Sequence, residues 1–386
     1  MLILVLNSME RQKGYQRLES LDVLRGFDLF FLVALGPFMH SLSRAADVEW
    51  LNSCMWGFRH VDWVGFSPWD LIMPLFLFMS GASMPFALSR YKEIADKKPL
   101  IRRLAKRVGL LWIFGMMCQG NLLGLNPERI YLFTNTLQAI AVGYLGTALL
   151  FLYTKRRTQI IAAVVLLLTY WLAMELVTVD GFGGGNYTPE RNLAEWIDQT
   201  VLGRFRDGAA LVNGEVVFAN GYYYTWLLSS LNFIVTVLTG LFAGYIAKDK
   251  TSGKRKLQLY FIPGIIMVVS GWLWGIEMPV IKTIWTSSMV LVSSGYCFLL
   301  MGLFYYWIDY KGHRSNLTWL KVYGMNSIVA YMLANIMDFR CIAHSLIHGL
   351  QQYTGEYYSF LLTVWNISVI YLILWVLYKH NIFLKV

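Results

Sequence analysis

The sequence predicts an all-α protein that crosses a membrane about ten times as one polytopic helix bundle. Hydrophobic residues make up 57% and charged residues 15% of the 386 residues, and the mean hydropathy is +0.49. Soluble globular chains carry a larger charged fraction. Several apolar runs reach the roughly 20 residues that a helix needs to cross a ~30 Å hydrocarbon core. Because alternating ~10-residue segments are not seen, the composition favours membrane helices over a transmembrane barrel.

Apolar runs and helix breakers predict ten spans, which define the domain organisation. The predicted spans are residues 26–43, 69–89, 108–124, 131–153, 159–178, 225–246, 258–276, 284–308, 317–337 and 357–378. They form a single transmembrane domain, 26–378, flanked by cytoplasmic segments 1–25 and 379–386 and carrying an external loop at 179–224. Within that loop, NLAEWIDQTVL predicts a short amphipathic helix. The loop is either a lid over an external site or a plain connector.

Basic residues set the predicted orientation of the bundle. Alternate connections hold 25 of the 33 lysines and arginines, namely residues 1–25, 90–107, 154–158, 247–257, 309–321 and 379–386. By the positive-inside rule these connections are cytoplasmic, and an even number of spans puts both termini on that side. The net charge of +10 is therefore a topology signal, and no nucleic-acid partner is expected. The connection 90–107 is either an ordinary loop or a basic rim for a polyphosphate ligand or anionic lipid headgroups.

Cysteine spacing and the N-terminal residues argue against a metalloprotein and against a cleaved signal peptide. The four cysteines show no C-x-x-C spacing, and no H-E-x-x-H pattern accompanies the histidines, so no metal site is predicted. The opening MLILVLN is too short for the apolar region of a signal peptide, so the first span is expected to direct insertion. We expect an integral protein of a bacterial inner membrane.

The segment GFRHVDWVGFSPWDLIMP, residues 57–74, places His60 and two acids directly before an apolar span. Ser67 is a plausible N-cap of that span's helix, with Pro68 at its first position. Asp70 then lies in the first turn, where it either compensates the helix dipole or orients His60. In the first span, Asp28 either pairs with Arg25 one turn earlier or belongs to a site, since ionisable groups inside spans usually face a cavity or a partner.

Four motifs in order resemble the heparan-α-glucosaminide N-acetyltransferase family. HVDWVGFSPWDLIMPLFLFMSG at 60–81 is similar to the family's histidine, W-x-G and D-L-x-x-P-x-F-x-F-x-x-G pattern, and RLESLDVLRGFDLF precedes it. NTLQAIAVGY, IKTIWTSSMVL and GMNSIVAY match later family motifs. The chain departs from the family's pattern at Gly36 and Ile281, where asparagine is usual, and at Ala139, where arginine is usual.

The resemblance implies a multi-pass enzyme that takes acetyl-CoA from the cytoplasmic side and acetylates an amino sugar on the opposite side. It implies that His60 transfers the acetyl group, with Asp70 and Asp28 as further catalytic candidates. Lys282 would lie at the outer mouth of the route, and Asp62 and Trp63 are candidate substrate contacts. The candidate acetyl-CoA contacts are Arg17, Arg25, Arg107, Gln138, Trp285, Ser288 and Asn326. Membrane lipid and a second copy, as a homodimer, are the other expected partners.

Two mechanisms and two other functions remain open from the sequence. His60 either deprotonates the amine in a ternary complex or carries the acetyl group itself, and we favour the ternary scheme because the extended arm of the donor can reach an outer vestibule. Polar residues in spans also suit an amino-sugar transporter. An O-acyltransferase acting on envelope sugars is the other alternative.

Overall fold

Helices carry nearly all of the regular structure, as the apolar composition predicts. The computed structural model describes residues 18–92, 94, 96–120, 122, 130–218 and 224–384. Its first helices are α1 Glu19–Phe30, α2 Gly36–Ala46, α3 Glu49–Cys54, α4 Ile72–Ala82, α5 Met84–Ala87, α6 Ser89–Lys92, α7 Lys98–Cys118, α8 Thr136–Tyr153 and α9 Arg156–Leu176. A π-helical turn at Phe31–Leu35 joins α1 to α2, and a 3₁₀ turn at Pro68–Leu71 leads into α4.

The long connection after α9 is folded on itself. It contains two short antiparallel hairpins on either side of one helix: β1 Thr178–Val179, β2 Phe182–Gly183, α10 Leu193–Leu202, β3 Ala209–Val212 and β4 Glu215–Phe218. In the second hairpin Ala209 is opposite Phe218. Helix α10 confirms the amphipathic helix predicted for this loop, and the Asn192 side chain caps it by accepting from the Glu195 N–H.

The second half of the chain returns to long helices. They are α11 Ser230–Lys248, α12 Gly253–Trp274, α13 Ser287–Phe304, α14 Thr318–Met325, α15 Ser327–Ile336, α16 Arg340–Ile347, α17 Gln351–Thr354 and α18 Tyr357–Lys379. A π-helical turn at Tyr305–Tyr310 extends α13.

Seven helices in the described part of the chain are long and apolar enough to cross a membrane. They are Pro68–Ala87, which includes α4, and α8, α9, α11, α12, Ser287–Tyr310 and α18. The first, α8, α11 and Ser287–Tyr310 are mostly buried inside the protein, whereas α9, α12 and α18 are mostly exposed. The protein is therefore a helical membrane protein with central and peripheral spans. The predicted count of ten spans and the predicted location of both termini remain predictions.

The largest differences from the predicted spans lie in the first, third and ninth, and the helix of the first begins at Glu19, seven residues before the predicted span. Helix α7 begins at Lys98, ten residues before the predicted span, so much of the basic connection 90–107 is helical. Lysine, arginine and leucine have high helix propensity and Pro99 suits a first turn, so the charges do not prevent the helix. The ninth span is broken at Asn326, whose backbone is not helical, because its amide binds the tail: Nδ2 donates to the Ile382 carbonyl and Oδ1 accepts from the Leu384 N–H.

Glycines let the central helices approach closely. A Cβ on Gly240 of α11 would lie 1.8 Å from the Phe78 carbonyl oxygen of α4, and one on Gly81 would lie 1.9 Å from the Val237 carbonyl oxygen. Small residues at such crossings allow backbone-to-backbone packing where lipid supplies no hydrophobic driving force between helices. The α4–α11 contact therefore holds the helix that follows Asp70 in the centre of the bundle.

We expect Gly240→Ala to destabilise this contact. The added methyl overlaps a backbone oxygen that has no rotamer to change, so the helices must separate, at a cost of about 1–3 kcal/mol or more. The measurement is the thermal midpoint of the purified protein in detergent. Gly109→Ala is the matched control, because a Cβ there meets no atom within 4 Å. An unchanged midpoint for Gly240→Ala would contradict the packing.

The connections gather at two ends of the bundle. We name as the basic end the group of connections next to α6, α9, α12 and α14, where Lys248 Nζ donates to the Pro85 carbonyl at 2.8 Å and Arg156 lies 4.1 Å from the Tyr245 ring centre. The loop end holds the connections before α4, after α9 and before α13. There the Leu132 N–H donates to the Phe205 carbonyl at 3.0 Å and the Thr225 N–H to the Thr283 carbonyl at 3.1 Å.

Candidate active site

The start of the Pro68–Ala87 span places Asp70 at the loop end. Ser67 is the N-cap and Pro68 is in the first turn, which confirms both predictions. Asp70 completes a capping box, because its Oδ2 accepts the Ser67 N–H at 3.0 Å. The Ser67 hydroxyl lies 3.0 Å from the same Oδ2 and 2.7 Å from the Arg59 carbonyl, so the cap is also bonded to the segment that carries His60.

His60, Asp70 and Lys282 form a cluster of ionisable side chains, which we call the triad. His60 Nδ1 lies 2.6 Å from Asp70 Oδ1, and Lys282 Nζ lies 3.5 Å from that oxygen and 3.3 Å from Nδ1. Asp70 and Lys282 are buried, whereas the His60 side chain is 42% exposed. An ionised carboxylate only accepts, so the proton of the neutral imidazole resides on Nδ1. The other ring nitrogen, Nε2, is then available as a base on the exposed side.

Hydrogen bonds to its carbonyl groups hold the loop before α13 in place, and this loop carries Lys282. The Thr283 carbonyl accepts the Thr225 N–H, the Ile284 carbonyl accepts from Tyr170 and Ser229, and the Trp285 carbonyl accepts from Asn232 Nδ2 at 2.7 Å. Trp285 itself is fully buried with a φ of 52°. A bulky residue in the left-handed region is strained, and it stays there only because the surrounding contacts fix the backbone.

Two contacts join this loop and the connection after α9 to the His60 segment. Gly65, at a φ of 127° that favours glycine, donates its N–H to the Val280 carbonyl at 2.8 Å. Trp63 Nε1 donates to the Tyr187 carbonyl at 2.8 Å. Three segments that are distant in sequence therefore meet around His60. The exposed Asp62 lies in the same segment, outside the triad.

Trp69 lines the other side of His60. Its ring centre is 6.4 Å from that of His60 and 6.3 Å from that of His40, which in turn lies 2.8 Å from the Phe58 carbonyl through Nε2. A Cβ on Gly36 would lie 2.2 Å from the Trp69 ring. The Trp69 indole thus occupies the space into which a side chain at position 36 would project, which explains why glycine fits there.

Helix α1 carries two further residues that the sequence proposed for the site, Arg25 and Asp28. Arg25 pairs with Asp22, N to O 3.7 Å, one turn earlier, and this replaces the predicted alternative of an Asp28–Arg25 pair. Asp28 is buried, and its Oδ2 has no hydrogen-bond partner in the described structure. It is one turn before Phe31, whose ring stacks on Phe58 at 5.3 Å.

The amides proposed for the route have structural partners. Gln138 caps α8, because its Oε1 accepts the Thr134 and Asn135 N–H groups and its Nε2 donates to the Leu132 carbonyl. Asn326 binds the C-terminal tail, as described above. Buried Ser288 lies 3.2 Å from the Pro279 carbonyl, in the loop that presents Lys282.

Of the arginines proposed for the donor, Arg107 is held against an aromatic ring. Its guanidinium carbon lies 4.0 Å from the Tyr144 ring centre, and Nε is buried with no hydrogen-bond partner among the described residues. Arg107 is in the basic part of α7, whereas the triad is at the loop end. Arg17 lies outside the described residues.

Asp198, which sequence reasoning did not single out, anchors α10 to the start of α11. Its carboxylate accepts the Trp226 N–H at 2.6 Å and the Leu227 N–H at 3.0 Å. Nearby, the buried Arg206 side chain forms an ion pair with Glu195, which is on α10 like Asp198. Because Thr225 holds the Thr283 carbonyl, the connection after α9 is joined through this anchor to the Lys282 loop. No local pattern distinguishes Asp198 from any other acid on an amphipathic helix.

Asp198 makes stability depend on pH. Burial raises the pKa of its carboxyl to about 7, against the opposing effects of the Leu227 and Trp226 N–H groups and Arg206. An acid whose pKa is higher in the folded state binds its proton more tightly there, so stability falls as pH rises from about 4 to about 7. We expect Asp198→Asn to flatten this slope, measured as the thermal midpoint between pH 5 and pH 8. An equal slope in both proteins would contradict the assignment.

Comparison with known proteins agrees with the resemblance. A family model described as heparan-alpha-glucosaminide N-acetyltransferase, catalytic, matches residues 17–192. The human heparan-alpha-glucosaminide N-acetyltransferase is 25% identical over 365 residues, which cover 82% of this chain and 52% of the human protein. The mouse protein of the same name is 24% identical over 377 residues, covering 85% of this chain and 55% of its own.

The chain thus spans about half the length of the relatives that it matches. The model match includes both His60 and Asp70, and the longer matches to the mammalian proteins extend over most of the chain. The chain is therefore similar to the heparan-alpha-glucosaminide N-acetyltransferases, and the part that the family model matches includes the histidine–aspartate pair at the head of a buried span.

Proposed function

We propose that the protein is a transmembrane acetyltransferase that moves the acetyl group of acetyl-CoA to the amino group of a glucosamine-type sugar. The observation that carries the proposal is the 2.6 Å contact between His60 Nδ1 and a buried carboxylate. It leaves the second ring nitrogen on an exposed face, which is the arrangement that a general base needs. The names of the mammalian relatives and the family model support the reaction class.

The proposed chemistry is aminolysis of a thioester. The neutral sugar amine attacks the acetyl carbonyl carbon, the C–N bond forms, and the C–S bond breaks to release the thiolate of CoA. His60 Nε2 takes the proton that the nitrogen loses and passes it to the thiolate, which leaves as the thiol. Asp70 stabilises the imidazolium that forms and holds the ring in position. Lys282 balances the buried charge of Asp70, N to O 3.5 Å.

A ternary complex fits this geometry better than an acetylated histidine. Asp70 holds Nδ1, so Nε2 would have to serve first as nucleophile and then as leaving group, while the ternary scheme uses it only for the proton. Incubation with acetyl-CoA alone, followed by rapid quenching and mass spectrometry, is expected to leave His60 unmodified. A stable acetyl group on His60 would contradict the ternary scheme.

We further propose that the donor enters from the basic end, which would be cytoplasmic. Arg107 and Arg25, with Arg17, are the candidates for its phosphates, because a guanidinium fork can donate two hydrogen bonds to phosphate at once. Trp285, Ser288, Gln138 and Asn326 remain candidates for the route between the ends. A bilayer core of ~30 Å separates the two faces, so the extended pantetheine arm would have to enter the bundle toward His60. We place the protein in a bacterial inner membrane, where acetyl-CoA is available on one side.

A transfer assay tests the proposal directly. The purified protein is incubated with [acetyl-¹⁴C]acetyl-CoA and glucosamine, and the product is separated and identified. Label on the sugar nitrogen is the expected result. Label on a hydroxyl would replace the proposal with O-acetylation, and uptake of unlabelled sugar by vesicles without any transfer would indicate a transporter.

Lys282→Met is expected to lower kcat/KM in this assay by about 10–100-fold. Lys282 Nζ lies 3.5 Å from Asp70 Oδ1 and 3.3 Å from His60 Nδ1, so its removal takes a charge partner from the buried carboxylate that positions the imidazole. Lys311→Met, an exposed lysine at the basic end, is the matched control. Wild-type kcat/KM in Lys282→Met would remove Lys282 from the mechanism.

A further inference from the structure

A groove of about 600 Å³ lies at the loop end. Trp63 and Val64 form one wall, the turn from Gly184 to Pro189 forms the second, and Pro279 and Ile281 form the third. Its volume is within the roughly 300–1,000 Å³ of small-molecule sites. Two segments contribute to both the groove and the triad, because Trp63 follows His60 by three residues and Ile281 directly precedes Lys282.

The walls of the groove combine fixed apolar surface with main-chain polar groups. The Trp63 indole is held by its hydrogen bond to the Tyr187 carbonyl. Gly184 and Gly185 have φ values of 63° and 77°, so the turn exposes backbone without side chains. Indole and proline surfaces pack on the apolar faces of a pyranose ring, and amide groups bind its hydroxyls. This combination suits a sugar unit.

The described residues that line the groove carry no charged side chain. Behind the glycine turn, the Tyr187 hydroxyl donates to Glu175, and a Cβ on Gly185 would lie 2.9 Å from Glu175 Oε2. Burial raises the pKa of the Tyr187 hydroxyl, and Glu175 and Glu277 raise it further. The uncharged lining gives a sulfate or carboxylate group no cation to pair with, so burial of such a group there is unfavourable.

We infer that this groove binds the neutral sugar unit next to the amino sugar in a longer acceptor and disfavours a sulfated one. The inference rests on the proposed function, because it takes the amino sugar to be at His60. It assigns specificity to the connection after α9, which acts as one wall of the acceptor site. Val64, which is 60% exposed, is the groove residue that tolerates substitution with the least effect on packing.

Equilibrium binding without any acetyl donor tests the groove. Three probes are titrated into the protein in nanodiscs: glucosamine, the neutral disaccharide glucosaminyl-β-1,4-N-acetylglucosamine, and the same disaccharide with a 6-O-sulfate on its second unit. We expect the neutral disaccharide to bind at least fivefold more tightly than the other two. Equal Kd values for glucosamine and the neutral disaccharide, or tighter binding of the sulfated one, would overturn the inference.

A charge introduced into the groove separates specificity from folding. Val64→Lys is expected to shift the ratio of the two disaccharide Kd values at least threefold toward the sulfated probe. Val217→Lys, on the exposed strand β4, is the matched control and is expected to leave the ratio unchanged. An unchanged ratio in Val64→Lys would overturn the inference. Adding acetyl-CoA afterwards tests the reaction separately. A preference for the neutral disaccharide without acetyl transfer would contradict the proposed function but not the groove. Acetyl transfer without that preference would contradict the groove but not the proposed function.

Discussion

His60→Ala is expected to lower kcat/KM for acetyl transfer to glucosamine by about 10³-fold or more while the protein folds normally. The imidazole is the base that takes the proton from the attacking amine, and neither Asp70 nor Lys282 can replace it, because both are buried beneath it. The ring is 42% exposed, so its loss removes little packing. The measurement is the initial rate with labelled acetyl-CoA, together with the thermal midpoint.

The control for this variant is another exposed histidine. His313 is exposed and contacts the Trp307 carbonyl in the connection after α13, at the basic end. His313→Ala should keep the wild-type rate. Full activity in His60→Ala, at an unchanged thermal midpoint, would refute the site assignment.

Asp70→Asn is expected to lower kcat by about 10²–10⁴-fold with KM for the amino sugar little changed. An asparagine amide can turn its NH₂ group toward Nδ1, which then must be the unprotonated nitrogen, so the proton moves to Nε2 and the base is lost. The buried Lys282 also loses its charge partner. Initial rates at several acceptor concentrations separate kcat from KM.

Asp47→Asn serves as the matched control for that change. Asp47 is exposed, and its φ of 43° is a conformation that asparagine adopts readily. A normal thermal midpoint together with a loss of kcat in Asp70→Asn would contradict a purely structural role for Asp70. A variant that folds and turns over at the wild-type rate would contradict the role of Asp70 in orienting His60.

Local signals in the sequence predicted the parts of the site that are formed within one segment. Ser67, Pro68 and Asp70 form the cap that their spacing indicates, since a capping box depends on residues three apart. Helix α10 is likewise where an amphipathic pattern predicts it. These features could be predicted because each depends on neighbours along the chain.

The meeting of Lys282 with His60 and Asp70 could not be predicted from spacing, because 222 residues separate Lys282 from His60. It depends on the carbonyl contacts of the 283–285 loop, which involve side chains of α9 and α11. The Asp198 anchor is missed for the same reason. The sequence does not distinguish an amide that lines a route from one that caps a helix, so the partners of a residue such as Gln138 are visible only in the structure.

Sidedness of transfer is the central claim of the proposed function, and sealed proteoliposomes test it most directly. Acetyl-CoA is enclosed inside the vesicles and glucosamine is supplied outside, with His60→Ala vesicles as the control for leakage. We expect N-acetylglucosamine in the outer solution, formed by the wild-type protein and absent with the variant. Product that forms only when both substrates share one compartment would contradict transfer across the membrane.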